Sequence, residues 1–361
     1  MKLTGFQIFW IITTVEVVMA VWLRISPAIQ QSGQDAWLSM LAGGLAGAAI
    51  TFLVVRLSVL HPGETLAAFS QKLLGKWGGR IILLPYFTAW YILAGDVLRS
   101  FADFIHLILL DKTPVWVIML LMTGAMIYLT YNCGIKGIAR FCEIAGPVTL
   151  LTLLLSFALN MGIMDWKHIL PVYWDSGWQR IMSGAYAPAS FFGESFLLLS
   201  LIAHMKNPSQ ALSRSMLGIA VTVITVAAAT VMVLTVFGPH VAAKLRFPYF
   251  MLVRSINILN FIQNVDIFVI FIWVFGVFAK ICFYLFLTSS EMALCIRVKD
   301  WRKIIWFSTP VIFLIALLIP KELTIEKLQA LWRWIVIPVC GIAIPLLLWI
   351  VTAAKKKAAR A

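Results

Sequence analysis

Ten apolar runs, most of them long enough to cross a lipid bilayer, follow one another along almost the whole chain. A transmembrane helix needs about 20 mostly apolar residues to cross a hydrocarbon core roughly 30 Å thick. The composition agrees, because 62% of the 361 residues are hydrophobic and only 12% are charged. The sequence therefore predicts an all-α integral membrane protein with ten transmembrane helices. The runs lie at about 6–26, 37–60, 81–110, 115–131, 139–160, 181–203, 213–237, 265–295, 303–320 and 331–353.

Basic residues concentrate in alternate loops of this ten-helix arrangement. The loops on the side of the N-terminus contain most of them with few acids, whereas Lys112 on the opposite side has Asp111 beside it. Cytoplasmic loops of membrane proteins are enriched in Lys and Arg. We therefore expect both termini in the cytoplasm, and we attribute the net charge of +14 to membrane topology and not to nucleic-acid binding.

An aromatic segment at 161–180 divides the ten helices into five and five. An odd number of helices in each half inserts the second half upside down, which is the inverted-repeat arrangement of many transporters. We predict one transmembrane domain over 1–361, with a first repeat at about 6–160 and 161–180 as an interfacial linker. The second repeat follows at about 181–353, and a basic cytoplasmic tail follows at 354–361.

Helix 6 contains the residues that most disfavour a continuous helix. Pro188 and Gly193 lie within its span, and Glu194 comes directly after the glycine. Backbone groups freed in this way inside a membrane must bond to protein or to a ligand, so the pattern predicts an interrupted helix. A simple proline kink filled by a serine hydroxyl is the alternative. Helix 1 has Glu16 in its apolar core and a stop at Pro27 but no glycine, which leaves a break there open.

Helix 3 places four ionisable side chains on one face. Asp96, Arg99, Asp103 and His106 recur at helical spacing within the run at 81–110. A lone charge in hydrocarbon costs several kcal/mol, so this face must point into the bundle. The stripe is either an ion ladder, in which Arg99 neutralises both acids, or the lining of a route for protons or solute.

Helix 8 has a comparable polar stripe with Lys280 near mid-span. A buried lysine either pairs with a carboxylate or loses its proton. Glu16, Glu143 and Glu194 are the candidate partners on other helices, and a snorkelling lysine is the alternative. The stripe consists of Asp266, Trp273, Lys280, Tyr284, Thr288 and Glu291.

The sequence offers no signature of an enzyme or of a metal site. The five cysteines are scattered without a CxxC or metal-binding spacing, and most of them lie in or beside apolar runs. No phosphate-binding loop, HExxH motif or nucleophile elbow is present in the sequence. We therefore predict binding or translocation without a catalytic residue, cofactor or metal.

Eight short stretches, in order along nearly the whole chain, carry a resemblance to a known family. They are GFQIFW at 5–10, GQDAWLS at 33–39, GKWGGR at 75–80, DKTPVWVI at 111–118, ILPV at 169–172, FFGE at 191–194, FPYF at 247–250 and WVFGVFAK at 273–280. Together they resemble the B subunit of the nutrient germinant receptor of spore-forming bacteria, which is similar to permeases of the amino acid, polyamine and organocation superfamily. The resemblance implies a leucine-transporter-like fold, the spore inner membrane, and a complex with an A subunit and a C-subunit lipoprotein.

The chain departs from this family in helix 1. Family members commonly have a glycine-containing break followed by a Leu-Pro step, whereas VVMAVWLRISP at 17–27 keeps only the proline. In related permeases such a break exposes backbone amides to a ligand carboxylate. The resemblance therefore does not carry over recognition of a free amino acid in that way.

The residues and the resemblance together predict a nutrient-sensing subunit that binds a small polar nutrient between helices 1, 3, 6 and 8. A proton-coupled permease for amino acids or other small solutes is the alternative, in which Lys280 or the helix 3 acids titrate, and a purely structural scaffold is a third possibility. The candidate ligand-binding residues are Glu16, Met19, Tyr186, Ala187, Pro188, Ser190, Phe192, Gly193 and Glu194. The candidate charge or proton pathway comprises Asp96, Arg99, Asp103 and Lys280.

Overall fold

The structure is a computed structural model that describes residues 2–256, 265–319 and 330–358, and helices dominate the described part of the chain. A π-helix at Trp332–Ala343 continues into the last α-helix. The α-helices are α1 (Gly5–Leu23), α2 (Ser26–Ser32), α3 (Ala36–Val59), α4 (Leu66–Ile108), α5 (Val115–Asn160), α6 (Gly177–Phe192), α7 (Leu198–Leu201), α8 (Ala211–Ala242), α9 (Pro248–Arg254), α10 (Asp266–Ile296), α11 (Arg302–Leu318) and α12 (Ile344–Ala358).

The helices correspond to the ten predicted spans. Eight helical stretches of the described residues are long and apolar enough to cross a membrane. One of them, Val115–Ile163, bends at Gly134, where φ is 56°, and provides two of the predicted spans. The 17-residue helix α11 provides another. The prediction of an all-α membrane protein with ten spans is therefore confirmed.

Helix 1 is interrupted although it lacks a glycine. Its first part, α1, ends at Leu23, and α2 begins at Ser26. Between them Arg24 leaves the helical conformation, with φ −126° and ψ 10°. Pro27 accounts for the restart, because a proline fits the first turn of a helix, where its missing N–H is not needed. The helix 1 break that the sequence left open is present.

Helix 6 is interrupted as predicted, but later than the sequence suggested. The backbone around Pro188, where the predicted interruption begins, is α-helical as far as Phe192. The backbone then tightens into a 3₁₀ turn at Gly193–Leu197 before α7 begins. Pro188 is accommodated inside α6, since a proline removes only one backbone donor, and the change in pitch begins at Gly193.

Close contact between α3 and α6 fixes the position of helix 6. A Cβ atom built on Gly43 would collide with Pro188, and one built on Gly47 would collide with Phe192. Small residues allow two helix backbones to approach in this way within a membrane. The GGLAG stretch of α3 thus acts in helix packing, as its composition indicates.

The segment between the two halves lies largely exposed. It contains the 3₁₀ turns Met161–Ile163 and Trp166–Ile169, and the Trp174 side chain is 84% exposed. The carboxylate of Asp35 anchors it by accepting hydrogen bonds from the backbone N–H of Tyr173 at 3.0 and 3.1 Å.

The C-terminal helix α12 continues to Ala358, so the predicted tail at 354–361 is helical where it is described. Residues 359–361 of that tail lie outside the described residues, as does residue 320 at the end of the ninth predicted run.

Candidate functional site

A buried carboxylate and a buried ammonium group pair at the interruption of helix 6. Glu194 lies in the 3₁₀ turn that follows α6, and Lys280 lies in the middle of α10. Lys280 Nζ donates to Glu194 Oε2 at 2.7 Å, and each residue is 1% exposed. The Tyr284 hydroxyl, one helical turn further along α10, donates to the same oxygen at 3.3 Å. The lysine therefore pairs with one of its three predicted partners.

The interruption of helix 1 brings a second cation to this site. Arg24 Nη2 donates to Asp96 Oδ2 of α4 at 3.1 Å, and its Nη1 lies 3.8 Å from Glu194 Oε1. Arg24 belongs to the two residues between α1 and α2, where the chain leaves the helical path. The break thus presents a guanidinium group to the interior of the bundle.

Glu16 extends the same cluster along α1. Glu16 is 3% exposed, and its carboxyl group interacts electrostatically with Glu194, Lys280 and Arg24. It lies eight positions before Arg24, or about 12 Å along a helix with a rise of 1.5 Å per residue. We refer below to the charge chain, which consists of Asp96, Arg24, Glu194, Lys280 and Glu16.

The charge chain alternates in sign along its paired members. Asp96 pairs with Arg24, Arg24 faces Glu194, and Glu194 pairs with Lys280. Burying an ion is costly, and a partner at hydrogen-bond distance repays part of the cost. Ionisable groups inside a membrane are accordingly rare and mark functional sites more often than packing sites. The arrangement can receive a polar ligand wherever one of its contacts is weak.

The longest of the three ion pairs in the charge chain is that between Arg24 and Glu194. Its 3.8 Å separation exceeds hydrogen-bond distance, and Glu194 Oε1 is buried without a hydrogen-bond partner among the described residues. The neighbouring Ser195 hydroxyl is buried and unpaired in the same part of the structure. Unsatisfied buried polar atoms are uncommon in native proteins and call for an explanation.

A small cavity adjoins the charge chain at Arg24. Its volume is about 10 Å³, which is about the space of one water molecule. Sites for drug-sized ligands measure about 300–1,000 Å³, so this cavity is too small for a nutrient-sized molecule. The cavity is lined by Arg24, Pro27, Ala187, Ser190, Phe191, Trp332 and Arg333.

The charged stripe predicted on helix 3, which forms the second part of α4, divides into separate interactions. Asp96 pairs with Arg24, while Arg99 Nε donates to both oxygens of Asp103 at 2.9 and 3.0 Å. His106 Nδ1 lies at hydrogen-bond distance from the carbonyl oxygen of Thr113, 2.9 Å away. In the described part of the structure Arg99 therefore pairs with one of its two neighbouring acids, and only Asp96 joins the charge chain.

The polar stripe predicted on helix 8 lies on α10, and its members contact several different elements. Trp273 Nε1 donates to the Val18 carbonyl of α1 at 2.9 Å, which ties α10 to helix 1. Glu291 accepts from the Ala67 backbone N–H at 2.8 Å, at the beginning of α4. Asp266 is 9% exposed at the first residue of α10. Lys280 and Tyr284 are the members of this stripe that contact Glu194.

The other predicted ligand-binding residues occupy three environments. Ala187 and Ser190 line the small cavity, and the Ser190 hydroxyl donates to the Ala187 carbonyl at 2.6 Å. Tyr186 is 48% exposed, and its ring contacts that of Trp334 in a tilted arrangement, with centroids 5.1 Å apart and an interplanar angle of 49°. The remaining members are buried by packing within the bundle, and they are Met19, Pro188, Phe192 and Gly193.

Arg24 is the functional candidate that sequence reasoning missed. The signal was present, since Arg24 is a charged residue inside the stretch VVMAVWLRISP, two positions before Ser26 and three before Pro27. An arginine at the end of an apolar run either extends to the membrane surface or faces the bundle interior, so it is a candidate for the site.

A family model described as "Spore germination protein" matches residues 2–325 of this sequence. The chain belongs to the spore germination protein family. Curated relatives agree with this assignment. Spore germination protein YndE of Bacillus subtilis (strain 168) is 24% identical over 329 residues, which cover 91% of this chain and 90% of the relative. Spore germination protein KB of the same strain is 22% identical over 342 residues, covering 93% and 91%.

Solved structures show that the fold of this family member is that of leucine-transporter-like transporters. MhsT in complex with L-phenylalanine superposes with a TM-score of 0.70 at 12% identity, covering 92% of this chain and 86% of MhsT. Mhp1, a nucleobase-cation-symport-1 family transporter, gives 0.67 at 15% identity, covering 93% and 78%. A Na⁺-coupled sialic acid symporter gives 0.69 at 12% identity, covering 94% and 79%. These findings confirm the five-plus-five inverted-repeat prediction.

Proposed function

We propose that the protein is the nutrient-sensing membrane subunit of a spore germinant receptor, and that a small polar nutrient binds at the charge chain. The observation that carries the proposal is the meeting of Arg24 and Glu194, one from each interrupted helix, inside the bundle. In inverted-repeat transporters the substrate site lies at the interrupted helices near the bilayer midplane. The receptor further comprises an A subunit and a C-subunit lipoprotein, resides in the spore inner membrane, and has both termini of this subunit in the cytoplasm.

The charge chain supports binding of a nutrient that has both an anionic and a cationic group. Such a molecule can enter between Arg24 and Glu194, where the contact is 3.8 Å long and Glu194 Oε1 lacks a hydrogen-bond partner among the described residues. Its anionic group then pairs with Arg24 and its cationic group with Glu194, so that signs still alternate along the chain. The Arg24 guanidinium, with its planar fork of donors, takes the part that backbone amides play in a glycine-containing helix 1 break.

Sensing requires two conformations with different affinities for the nutrient. The cavity beside Arg24 holds about 10 Å³, so binding needs an open arrangement of α2, α6 or the π-helix at Trp332–Ala343, which line it. A ligand shifts a conformational equilibrium only by its differential affinity for the two states. The closed arrangement fits the resting state, and the nutrient selects the open one.

Substitution of Glu194 tests the proposal. We expect Glu194→Gln to weaken or abolish the germination response of spores while leaving membrane insertion intact, because the amide cannot hold a cationic group as a carboxylate does. Glu143→Gln is the matched control, since Glu143 lies on α5 and accepts from Gln7 Nε2 at 3.2 Å, away from the charge chain. Protein abundance in spore membranes and the dose-response to nutrient are the measurements. A normal dose-response at normal abundance in the Glu194→Gln spores contradicts the proposal.

The proton-coupled permease predicts a different result in a transport assay. A sensor binds its nutrient without accumulating it, whereas a permease fills the lumen of a vesicle. Uptake of labelled nutrient into proteoliposomes that contain the purified protein separates the two. Nutrient-dependent thermal stabilisation in the same preparation reports binding in either case.

A further inference from the structure

The charge chain contains one more acidic group than basic groups. Asp96, Glu194 and Glu16 are the acids, and Arg24 and Lys280 are the bases. All five residues are at most 9% exposed. If every group were ionised, the charge chain would carry one uncompensated negative charge, and such a charge inside a membrane is strongly disfavoured.

The contacts identify the acid that is left without a partner. Asp96 accepts from Arg24, and Glu194 accepts from Lys280 and Tyr284. No described residue forms a hydrogen bond or a close ion pair with Glu16, although its side chain is buried. A carboxyl group without a hydrogen-bonded cation becomes neutral by taking up a proton.

Groups from several elements lie around the charge chain. One further described cation, Arg333 of the π-helix, lines the cavity at Arg24, but it is not among the groups that interact electrostatically with Glu16. The groups that interact electrostatically with Glu16 are Arg24 of helix 1, Glu194 of helix 6, and Lys280 and Tyr284 of α10. From the other elements that pack on α1, α5 contributes Cys142 beside Thr14, and α9 contributes Tyr249, which is hydrogen-bonded to Ser156. On α8 the ionisable residues Arg214 and His240 lie near the two ends of the helix.

We propose that Glu16 carries one exchangeable proton in this closed arrangement and that loss of this proton draws Lys280 away from Glu194. While Glu16 is neutral, Lys280 has one charged carboxylate to pair with. When Glu16 is ionised, two carboxylates compete for the same ammonium group, and Glu194 becomes available to a cationic group of the nutrient. The second half of the statement rests on the proposed function, whereas the first half does not.

The sign of the resulting pH dependence follows directly. Binding of a nutrient with an ammonium group favours the ionised form of Glu16, so binding must tighten as the pH rises through the range in which Glu16 loses its proton. The carboxylate of the nutrient lies at Arg24, about 12 Å further along helix 1 from Glu16, and is repelled less, because Coulomb energy falls with distance.

Infrared difference spectroscopy tests the proton without any nutrient. The purified chain in lipid nanodiscs is titrated from about pH 5 to about pH 9, and the carbonyl stretch of protonated carboxyl groups is recorded. We expect a band in the wild type that disappears as the pH rises and that is missing from Glu16→Gln. Glu143→Gln is the control and must keep the band. Should Glu16→Gln fail to fold, Glu16→Asp replaces it and must shift the band. A band that is unchanged in Glu16→Gln, or in Glu16→Asp where that variant replaces it, overturns the assignment.

Matched ligand pairs test the link to Lys280 and Glu194. L-alanine and L-phenylalanine are compared with L-lactate and L-3-phenyllactate, in which a hydroxyl group replaces the ammonium group. We expect the amino acids to raise the thermal stability of the wild type more at about pH 8 than at about pH 6, and Glu16→Gln to lose this difference. Equal stabilisation by the hydroxy acids, or an unchanged pH dependence in Glu16→Gln, overturns the link.

The proton on Glu16 is tested independently of the proposed function. If none of these compounds stabilises the protein at any pH and Glu194→Gln spores germinate normally, the proposed function and the link to the nutrient are both wrong. The infrared band still decides alone whether Glu16 carries the proton.

Discussion

Arg24 gives the interior of the bundle its distinctive chemistry. It is the one member of the charge chain that contacts two acids, and it lies where helix 1 loses its helical backbone. A buried pair adds little net stability compared with an apolar pair, but removing one partner leaves an uncompensated charge in a medium of low dielectric constant. The importance of Arg24 is therefore best revealed by comparing single and double substitutions.

We expect Arg24→Gln to lower the apparent stability of the purified protein by about 3–5 kcal/mol, because Asp96 is then buried without its cation. The double variant Arg24→Gln, Asp96→Asn should be milder, since both charges are removed together. Arg99→Gln is the control. The side chains of Arg99 and Asp103 are 19% and 20% exposed and form an (i, i+4) pair, which is worth less than about 1 kcal/mol. Thermal unfolding in detergent measures all three, and an Arg99→Gln loss as large as that of Arg24→Gln would argue against a special role for Arg24.

Single residues of the site could be predicted from the sequence, but their pairing could not. Glu16, Asp96, Glu194 and Lys280 stand out because a charge within an apolar run is expensive and must face the interior. Which acid meets which base depends on the packing of four helices, and a single helix face does not contain that information. Asp96 therefore looked like a partner for Arg99, its neighbour on α4, whereas the fold pairs it with Arg24 of helix 1.

At the scale of elements, the interruption of helix 6 shows what residue composition can and cannot determine. Pro188 and Gly193 correctly indicated that the helix changes, because one lacks a donor and the other lacks a Cβ atom. They did not indicate where, since α6 continues through Pro188 and tightens only at Gly193. Contact with α3 adds a constraint of its own, because it holds Phe192 against Gly47. Such contacts are invisible in the sequence of either helix alone.

We expect Gly47→Ala to destabilise the protein by about 1–3 kcal/mol through overpacking. The added Cβ atom would lie 2.9 Å from the backbone carbonyl carbon of Phe192 and 3.0 Å from its oxygen, just before the turn that contains Glu194. Gly124→Ala is the matched control, because a Cβ atom added there would meet nothing within 4 Å and alanine favours a helix by up to about 1 kcal/mol. The apparent melting temperature of Gly47→Ala should fall, whereas that of Gly124→Ala should stay the same or rise. Equal shifts would contradict the tight approach of α3 and α6.

At the scale of the whole molecule, the architecture was the most predictable feature. Ten apolar runs fix the number of spans, and an odd number in each half fixes their antiparallel relationship, because every run must cross the membrane. The solved transporter structures share this fold. Orientation in the membrane rests instead on the distribution of Lys and Arg among the loops. The orientation is therefore tested by a labelling measurement on the protein in its membrane.

The cysteines provide a built-in test of this orientation. Cys133 is exposed at the bend of α5 beside Gly134, where we predict a cytoplasmic turn, whereas Cys142, Cys282, Cys295 and Cys340 are buried. A membrane-impermeant maleimide should therefore label the unmodified protein in inside-out vesicles and leave it unlabelled in right-side-out vesicles. Cys133→Ser should abolish the labelling.

Adding Trp174→Cys to the Cys133→Ser protein supplies the opposite control. The Trp174 side chain is 84% exposed in the linker that we predict to lie outside, so this variant should be labelled only in right-side-out vesicles. Labelling with the two patterns exchanged would place both termini outside.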